Sequence, residues 1–437
     1  MVKKLLQPYA LRVLTSERVR RWRDFPDRLR QRGHKLKPTV TLFHQLDDPY
    51  SVLALEASVL LAQRYDIEFE LVLVEDEARA GHTDTQRAKE GWMRYRLHDA
   101  RRLARAWQLK ALEVDVPSSL AVEACVRALA AVPPANHPAL ALKLTRALWT
   151  ADPNVLQTLL TEHPPGTAEE GRRLLINGHN DREARGHYQA AMWEFNGNWF
   201  WGLDRLEYLE DDLRRWGLAK GPSTVHGELY APKRVDSLTG STLDFFFSLR
   251  SPYTYVSLAR INRLQQSTGV IVRLRPVLPM VERGVALSDH KRRFILNDVA
   301  RITNKHEIAF GFIRDPLGPG LHRCLAMLPL MRERNREREF VASVMRGIWA
   351  EGISVNHDRG LQRLVERAGV SWADAQSVTM SETMQQELER NQQQLELMGI
   401  WGVPSFALTD GANRLVDVFW GQDRLPWLEY GLSRPSN

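Results

Sequence analysis

The stretch LDFFFSLRSPYTYVSLARINRL, Leu243–Leu264, joins an apolar, aromatic run to a pattern of helical period. The change comes at Ser251-Pro252-Tyr253, and serine followed by proline is typical of a helix N-cap and first turn. The stretch therefore predicts a strand that leads directly into a helix beginning after Ser251. The same position also suits a ligand-binding hydroxyl, because the N-terminal end of a helix favours negative charge.

The composition is that of a globular protein with two domains. The chain has 437 residues, of which 43% are hydrophobic and 26% charged, and this length exceeds one ordinary core. No apolar run is long enough to span a bilayer. The basic start lacks a small-residue cleavage site, so we expect a cytoplasmic protein without a signal peptide. Cys125 and Cys324 form no CxxC pair, which argues against a disulfide framework.

The positive charge is concentrated in residues 1–38. This segment holds twelve Lys and Arg against three Asp and Glu, whereas the whole chain has a net charge of +7. Leucine and aromatic residues are interleaved with the charges, so we expect a basic N-terminal helical arm that docks on the rest of the protein. Nucleic-acid binding is disfavoured, but it stays an alternative for this arm.

Three segments occur twice, in the same order. TVTLFHQLDDPYSVLALEASVLL (39–61) parallels the opening stretch. YRLHDARRLA (95–104) parallels FILNDVARIT (294–303), and NWFWGLDRLEYLE (198–210) parallels DVFWGQDRLPWLE (417–429). Collinear matches at similar spacing indicate a tandem duplication.

The duplication predicts two α/β domains of the same architecture, at residues 39–216 and 241–435, joined by a linker at 217–240 that is rich in Gly, Pro, Ser and Thr. Each half is predicted to form a strand, a helix and a strand, then a long helical segment, then two strands and a terminal helix. Two dipeptides are hairpin-turn signals between the closing strands: Asn196-Gly197 and Asp410-Gly411. We therefore predict two tandem thioredoxin-like domains, each with a helical insertion.

Five motifs follow one another in the second half: FFFSLRSPYTY, HKRRFILNDVARI, VMRGIWAEG, GIWGVPSF and FWGQDRL. Together they resemble the DsbA-like branch of the thioredoxin superfamily, in particular 2-hydroxychromene-2-carboxylate isomerases and kappa-class glutathione transferases. The resemblance covers nearly all of residues 240–435. The first half shares only the outline of the family.

The resemblance implies a glutathione site in the second domain. Ser251 takes the place of the nucleophilic cysteine of redox relatives and would donate a hydrogen bond to the glutathione sulfur, at a helix start where the pKa of a thiol is lowered. Pro404 would follow a cis peptide bond, and the Val403 backbone would pair with the cysteinyl part of the tripeptide. The alternatives are a plain helix cap for Ser251 and an ordinary trans proline for Pro404.

Five further residues belong to the implied site. Gln422 and Asp423 match positions that hold the γ-glutamyl amine and carboxylate, and Lys291 matches a lysine that reaches the ligand. Tyr253 and Trp401 would wall the pocket. The alternatives are a helix cap for Asp423, a solvated surface lysine for Lys291, and core packing for the two aromatic residues.

The first half departs from this pattern. Its residues at the matching positions are Asp48 for Ser251, Trp92 for Lys291, and His187-Tyr188-Gln189 for Val403-Pro404-Ser405. An aspartate at the helix start would repel a thiolate. We therefore expect a degenerate copy that serves as a structural partner and substitutes for the second subunit of the homodimers typical of the family. A different ligand bound by Asp48 and His187 is the alternative.

Other catalytic patterns are missing. The histidines show no HxxxH or HxxH pair, and there is no P-loop, no GxGxxG after a strand and no GxSxG elbow. We accordingly expect no metal site.

These observations predict a glutathione-dependent isomerase or transferase that acts on an electrophilic, aromatic organic acid or ketone. The alternatives are a non-catalytic binding or assembly protein built on a duplicated fold, and a divergent thiol oxidoreductase that would have to use Cys324. The expected partner is a small-molecule electrophile, with no membrane. The chain would be a monomer with an intramolecular pseudo-dimer, or a homodimer.

Overall fold

The computed structural model describes residues 2–16, 19, 37–75, 86–110, 112–229, 238–284 and 287–430. The chain divides into two compact units. The N-terminal unit comprises Asp24–Arg79 and Trp92–Ala231, and the C-terminal unit comprises Met1–Arg23, Ala80–Gly91 and Pro232–Asn437. The domain boundaries expected from the sequence stay a prediction.

The first half of the chain is mixed α/β. Its elements in chain order are α1 (Val2–Leu14), β1 (Thr39–His44), α2 (Pro49–Arg64), β2 (Glu68–Leu73), α3 (Gln86–Ala106), α4 (Ser119–Ala130), α5 (His137–Leu148), α6 (Pro153–Glu162), α7 (Ala168–Ala184), β3 (Met192–Phe195), β4 (Asn198–Trp201), α8 (Leu206–Arg215) and α9 (Val225–Leu229).

The second half repeats this alternation. Its elements are β5 (Thr242–Phe247), α10 (Pro252–Thr268), β6 (Ile271–Pro276), α11 (Asp289–Lys305), α12 (Pro319–Ala326), α13 (Leu328–Glu333), α14 (Glu337–Ala350), α15 (Asp358–Arg367), α16 (Trp372–Ala375), α17 (Glu382–Leu397), β7 (Ser405–Thr409), β8 (Leu415–Trp420) and α18 (Leu425–Tyr430). Short 3-10 turns lie at Met280–Arg283 and Gln422–Arg424.

The C-terminal unit contains a four-stranded sheet of order β6-β5-β7-β8. β5 pairs parallel with β6 and antiparallel with β7, and β7 pairs antiparallel with β8. β5 lies in the interior of the sheet, which explains its unbroken aromatic run, because such strands are buried on both faces. Phe245 stacks on Phe406 of β7 with ring centroids 5.1 Å apart. Gly269, with φ +72°, ends α10 in the left-handed conformation that favours glycine.

The sheet of the N-terminal unit has the corresponding order, β2-β1-β3-β4. β1 pairs parallel with β2 and antiparallel with β3, and β3 pairs antiparallel with β4. Each sheet is therefore built from the four strands that were predicted in its half of the chain. In each unit the helical insertion lies between the second and third strands of the sheet.

The two hairpin signals behave differently. Asn196 and Gly197, with φ +49° and +70°, form the two-residue turn between β3 and β4, as predicted. Asp410 and Gly411 also lie in the predicted hairpin, between β7 and β8, but this loop is longer and comprises the five residues 410–414. The left-handed position there is Asn413, with φ +59°. The Asp410 carboxylate accepts hydrogen bonds from the backbone amides two and four residues later, and these bonds organise the longer loop.

The N-terminal arm begins with α1, which packs on the C-terminal unit. Tyr9 meets Phe312 edge-on at 5.6 Å, and the Arg12 guanidinium lies 5.6 Å from the same ring and donates to the Phe310 carbonyl. α1 belongs to the helical arm predicted at residues 1–38. Residues 1, 17, 18 and 20–36 lie outside the described part of the chain, so the arm as a whole stays a prediction. No helix in that described part is long and apolar enough to cross a membrane.

Candidate functional site

Ser251 lies where β5 ends and α10 begins. Its backbone is extended, with φ −93° and ψ 114°, and its Oγ accepts a hydrogen bond from the Thr254 amide at 3.2 Å. Pro252 occupies the first helical position, where the missing N–H costs no hydrogen bond. The predicted strand, cap and helix are all present, so Ser251 is a genuine N-cap.

The Ser251 hydroxyl also faces a second segment of the chain. It donates to the Val403 carbonyl at 3.2 Å, and the Val403–Pro404 peptide bond is cis, as the resemblance implied. The Pro404 carbonyl accepts from the Gly421 amide at 2.9 Å. The fold thus brings together the helix start and the loop before β7, which are separated by about 150 residues in sequence.

Lys291 and Trp401 lie together beside this loop. The Lys291 Nζ is 5.2 Å from the centroid of the Trp401 ring, which is a cation–π distance. Ser288 caps α11 and accepts from the Lys291 amide, so the lysine emerges from the first turn of that helix. Trp401 in turn lies 6.4 Å from Trp420 at the end of β8. Lys291 therefore contacts Trp401, which lies two residues before Val403 in the chain.

Arg283 is a site residue that sequence reasoning missed. Its Nη1 donates to the Trp401 carbonyl at 3.0 Å, whereas its Nε has no hydrogen-bond partner among the described residues. Burial lowers the pKa of this guanidinium to about 10. A positive charge is therefore held close to the cis-proline loop. Arg283 ends a single 3-10 turn, an element too short to show a periodic pattern.

Gln422 and Asp423 follow β8 and meet each other. The Gln422 side chain is 2% exposed, accepts from Arg260 at 2.9 Å through Oε1, and donates to Asp423 through Nε2. Both ends of this carboxamide are thus engaged within the protein. Gly421 is the N-cap residue of the 3-10 turn and has no side chain to cap it. The choice between a ligand-binding role and a capping role for Asp423 stays open.

Tyr253 is tied into the interior by its hydroxyl. It donates to Asp298 of α11 at 2.8 Å, and Asp298 lies 3.6 Å from Arg301. Asp298 is 1% exposed and Arg301 is 5% exposed. This buried network joins the first turn of α10 to α11 and explains why the aspartate and arginine recur in the sequence.

The N-terminal unit contains the same network. Tyr50 donates to Asp99 at 2.9 Å, and Asp99 lies 3.3 Å from Arg102. The equivalence of Tyr50 to Tyr253 follows from their positions, since both are the second residue of the helix that follows the first strand of the sheet.

The N-terminal counterpart of Ser251 is a buried ion pair. Asp48 is 2% exposed, caps α2 by accepting from the Tyr50 and Ser51 amides, and forms a salt bridge with Arg96. Its carboxylate is therefore neutralised from within its own unit. Stacking against Trp199 at 4.4 Å fixes His187, the other residue of the alternative ligand site, in an aromatic cluster.

Strand register corrects one match between the halves. Phe43 of β1 pairs with Met192, and Phe246, at the same place in β5, pairs with Ser405. The counterparts of Val403-Pro404-Ser405 are therefore residues 190–192, and placing His187-Tyr188-Gln189 there was wrong. The proline that would have marked the register is replaced by Ala191, so nothing in the sequence fixed the alignment of this loop.

The two thiols are buried away from reactive surroundings. Cys125 and Cys324 are each 0% exposed, and burial raises the pKa of each thiol to about 12. Both therefore stay protonated near neutral pH. Among the described residues, no group of three or more His, Cys, Asp and Glu side chains is arranged to hold a metal ion.

A family profile described as the DSBA-like thioredoxin domain matches residues 242–433. This match agrees with the sheet order, the helical insertion and the cis-proline loop facing the helix start. Residues 242–433 form a DsbA-like thioredoxin domain. The fold predicted for the second half is thereby confirmed, and the match does not extend to the N-terminal half.

The DsbA-like domain also resembles curated proteins. It is 24% identical over 197 residues to the 2-hydroxychromene-2-carboxylate isomerase of Sphingobium xenophagum, covering 43% of this chain and 96% of the relative. It is 23% identical over 204 residues to glutathione S-transferase kappa 1 of Rattus norvegicus, covering 43% of this chain and 89% of the relative. A solved 2-hydroxychromene-2-carboxylate isomerase structure is 20% identical, with a TM-score of 0.36, over 43% of this chain and 92% of that one.

Proposed function

We propose that the DsbA-like domain binds glutathione at the N-terminus of α10 and uses its thiolate in an isomerase or transferase reaction. The observation that carries the proposal is the position of the Ser251 Oγ, bonded at once to the Thr254 amide and to the carbonyl of the cis-linked Val403. Similarity to curated proteins named as an isomerase and as a glutathione transferase supports it.

The residues present fit a thiolate. The Ser251 hydroxyl donates to Val403 over 3.2 Å, which is long for a bond from a hydroxyl. Rotation of this proton towards a bound sulfur would exchange a weak bond for a charge-assisted one, while the Oγ would still cap Thr254. The N-terminal end of α10 and the charge of Lys291 favour the same negative group.

The loop and the end of β8 would hold the rest of the tripeptide. The Val403 backbone and the cis Pro404 lie beside the Ser251 hydroxyl, where an extended peptide could pair as a short strand. We assign the γ-glutamyl amine to the Asp423 carboxylate. Gln422 would act through Asp423, which it contacts, because its own side chain is buried and bonded to Arg260.

When bound, glutathione would supply a nucleophilic thiolate for addition to an electrophilic carbon of a conjugated, aromatic acid or ketone. Ser251 would favour the charged sulfur over the thiol. Arg283 would bind a carboxylate of the substrate, since a partly buried guanidinium whose Nε has no partner among the described residues gains most from an anion. An isomerase returns free glutathione and a transferase releases a thioether, so a free-thiol assay during turnover separates the two reactions.

We infer that the N-terminal unit is a duplicated copy that has lost this site. The same sheet order, the same Tyr–Asp–Arg network and the repeated segments support a tandem duplication. At its helix start the carboxylate of Asp48 is paired with Arg96. A thiolate there would meet a negative group in place of a hydroxyl donor, so binding is expected in the DsbA-like domain only.

Calorimetric titration of reduced glutathione into the wild type, Ser251→Ala and Ser381→Ala tests the proposal. Ser381 caps α17 with the same 3.2 Å bond from Oγ to an amide, so both variants lose an equivalent cap. We expect one site per chain in the wild type and in Ser381→Ala. Loss of a hydrogen bond to a charged sulfur should weaken binding to Ser251→Ala by about tenfold or more. It should also lower the ultraviolet absorbance of the bound thiolate.

Two results would contradict this proposal. One is no saturable binding at millimolar glutathione, which would favour a non-catalytic assembly protein. The other is an unchanged thiolate absorbance in Ser251→Ala, which would leave Ser251 with its capping role alone.

A further inference from the structure

A cavity lies along the outer edge of β6. It has a volume of about 590 Å³ and is bounded by β6, by α17 and by the segment where α13 ends and α14 begins. Five arginines line it: Arg273, Arg275, Arg332, Arg338 and Arg390. None of the residues assigned to glutathione belongs to this lining, so the cavity is a separate feature of the DsbA-like domain.

Three of these arginines are balanced by carboxylates. Arg332 bonds to Glu337 at 2.6 Å and to both oxygens of Glu387 at 2.6 and 2.8 Å. Arg273 and Arg275, on β6, both form salt bridges with the buried Asp244 of β5, at 2.8 and 3.0 Å. Three guanidinium groups thus face three carboxylates.

The remaining two arginines carry the excess charge. Arg338 donates to neutral oxygens, those of the Val272 carbonyl at 2.6 Å and the Gln265 side chain. Arg390 is exposed on α17 and has no hydrogen bond or ion pair with another described residue. Two unbalanced positive charges in a concave space concentrate anions there.

We propose that this cavity binds a small organic phosphate with at least two negative charges. The guanidinium fork matches phosphate oxygens in a bidentate manner, and the volume is that of a small-molecule site. Every second residue of β6 donates its amide hydrogen to β5, as Ile271 and Val277 do at the two ends of the strand. Leu274 lies between two such residues, so its amide points away from β5. It is therefore a further hydrogen-bond donor to the cavity.

The same edge is poorly suited to an added peptide strand. The outward carbonyls on either side of Leu274 are already occupied by side chains of the protein. Val272 accepts from Arg338, and Pro276 accepts from Asn391 at 2.9 Å. A peptide would have to break both bonds, whereas a compact anion would leave them in place.

Calorimetric titration of inorganic pyrophosphate into the full-length protein tests the proposal, with Arg390→Gln and Arg338→Gln as variants. Arg363→Gln is the matched control, because Arg363 is an exposed arginine of α15 outside the cavity. We expect one saturable site whose affinity falls with added salt. Each cavity variant should weaken binding by about tenfold, as for a charge-assisted bond, with Arg363→Gln unchanged. Orthophosphate and succinate should bind more weakly than pyrophosphate.

The proposal would be overturned by any of three results. These are no saturable pyrophosphate binding, equal binding by the wild type and both cavity variants, and succinate binding as tightly as pyrophosphate. Arg390→Gln removes no bond to a described residue, so its fold is expected to survive. If Arg390→Gln loses pyrophosphate binding but still binds glutathione, the effect of the substitution is confined to the cavity.

Discussion

Replacing His44 by glutamine should remove part of the acid sensitivity of the N-terminal unit. His44 ends β1, is 0% exposed, and places its Nε2 3.1 Å from Thr145 Oγ1. Burial lowers the pKa of this imidazole from 6.5 to about 3, so the folded protein keeps it neutral. The residue at the same place in β5 is Phe247, also 0% exposed, which marks the position as apolar.

A lowered pKa means that the unfolded chain takes up the proton first. The stability that His44 contributes is complete above its unfolded pKa of 6.5 and is lost as the pH falls towards the folded value of about 3. Between roughly pH 7.5 and 5.5, this linkage removes about 1.4 kcal/mol from the free energy of unfolding. The figure depends on the unfolded pKa alone, since folded His44 is neutral at both pH values.

Urea unfolding at these two pH values, followed by circular dichroism and tryptophan fluorescence, measures the effect. Glutamine can also hydrogen-bond to Thr145 but cannot titrate, so the wild type should lose about 1.4 kcal/mol more than His44→Gln on acidification. The control is His357→Gln, because His357 is exposed, and this variant should behave as the wild type. Equal losses in the wild type and His44→Gln would refute the buried, neutral imidazole.

Three further predictions follow from the site and its counterpart. Cys125 and Cys324 should not react with an aromatic disulfide reagent until the protein unfolds, because both thiols are buried with raised pKa values; rapid reaction of the native protein would revive the thiol oxidoreductase alternative. Tyr253→Phe should lower the free energy of unfolding by about 2 kcal/mol, because the buried Asp298 carboxylate loses a hydrogen-bond donor. The variant should keep the thiolate absorbance of bound glutathione. Loss of that absorbance would place the Tyr253 hydroxyl in the glutathione site. Asp48→Ala should cost about 3 kcal/mol in denaturant unfolding, because it leaves Arg96 without its buried partner; a neutral change would show that the pair is not formed.

Local chemistry was enough to predict the architecture. Strand and helix periods, a Ser-Pro cap and repeated anchors depend on neighbouring residues, so the order of strands and helices along the chain and the cap at Ser251 could be predicted without any long-range contact. The GVP motif led by resemblance to a cis bond at Pro404, which the structure contains. The recurring tyrosine lies in one pair of repeated segments and the recurring aspartate and arginine in another, but the hydrogen bonds that join them could not be predicted from the sequence.

Contacts between distant residues decided the rest. Arg283 joins the site only because a single turn lies against Trp401, and Gln422 is withdrawn from it because Arg260, on another helix, takes its carboxamide oxygen. The match of residues 190–192 to the cis-proline loop could not be predicted from the sequence either, because only the pairing of β1 with β3 fixes it and no proline marks the position. The arginine cavity at β6 also depends on the tertiary structure. Its arginines come from segments over 100 residues apart, and only folding places two of them where no carboxylate balances their charge.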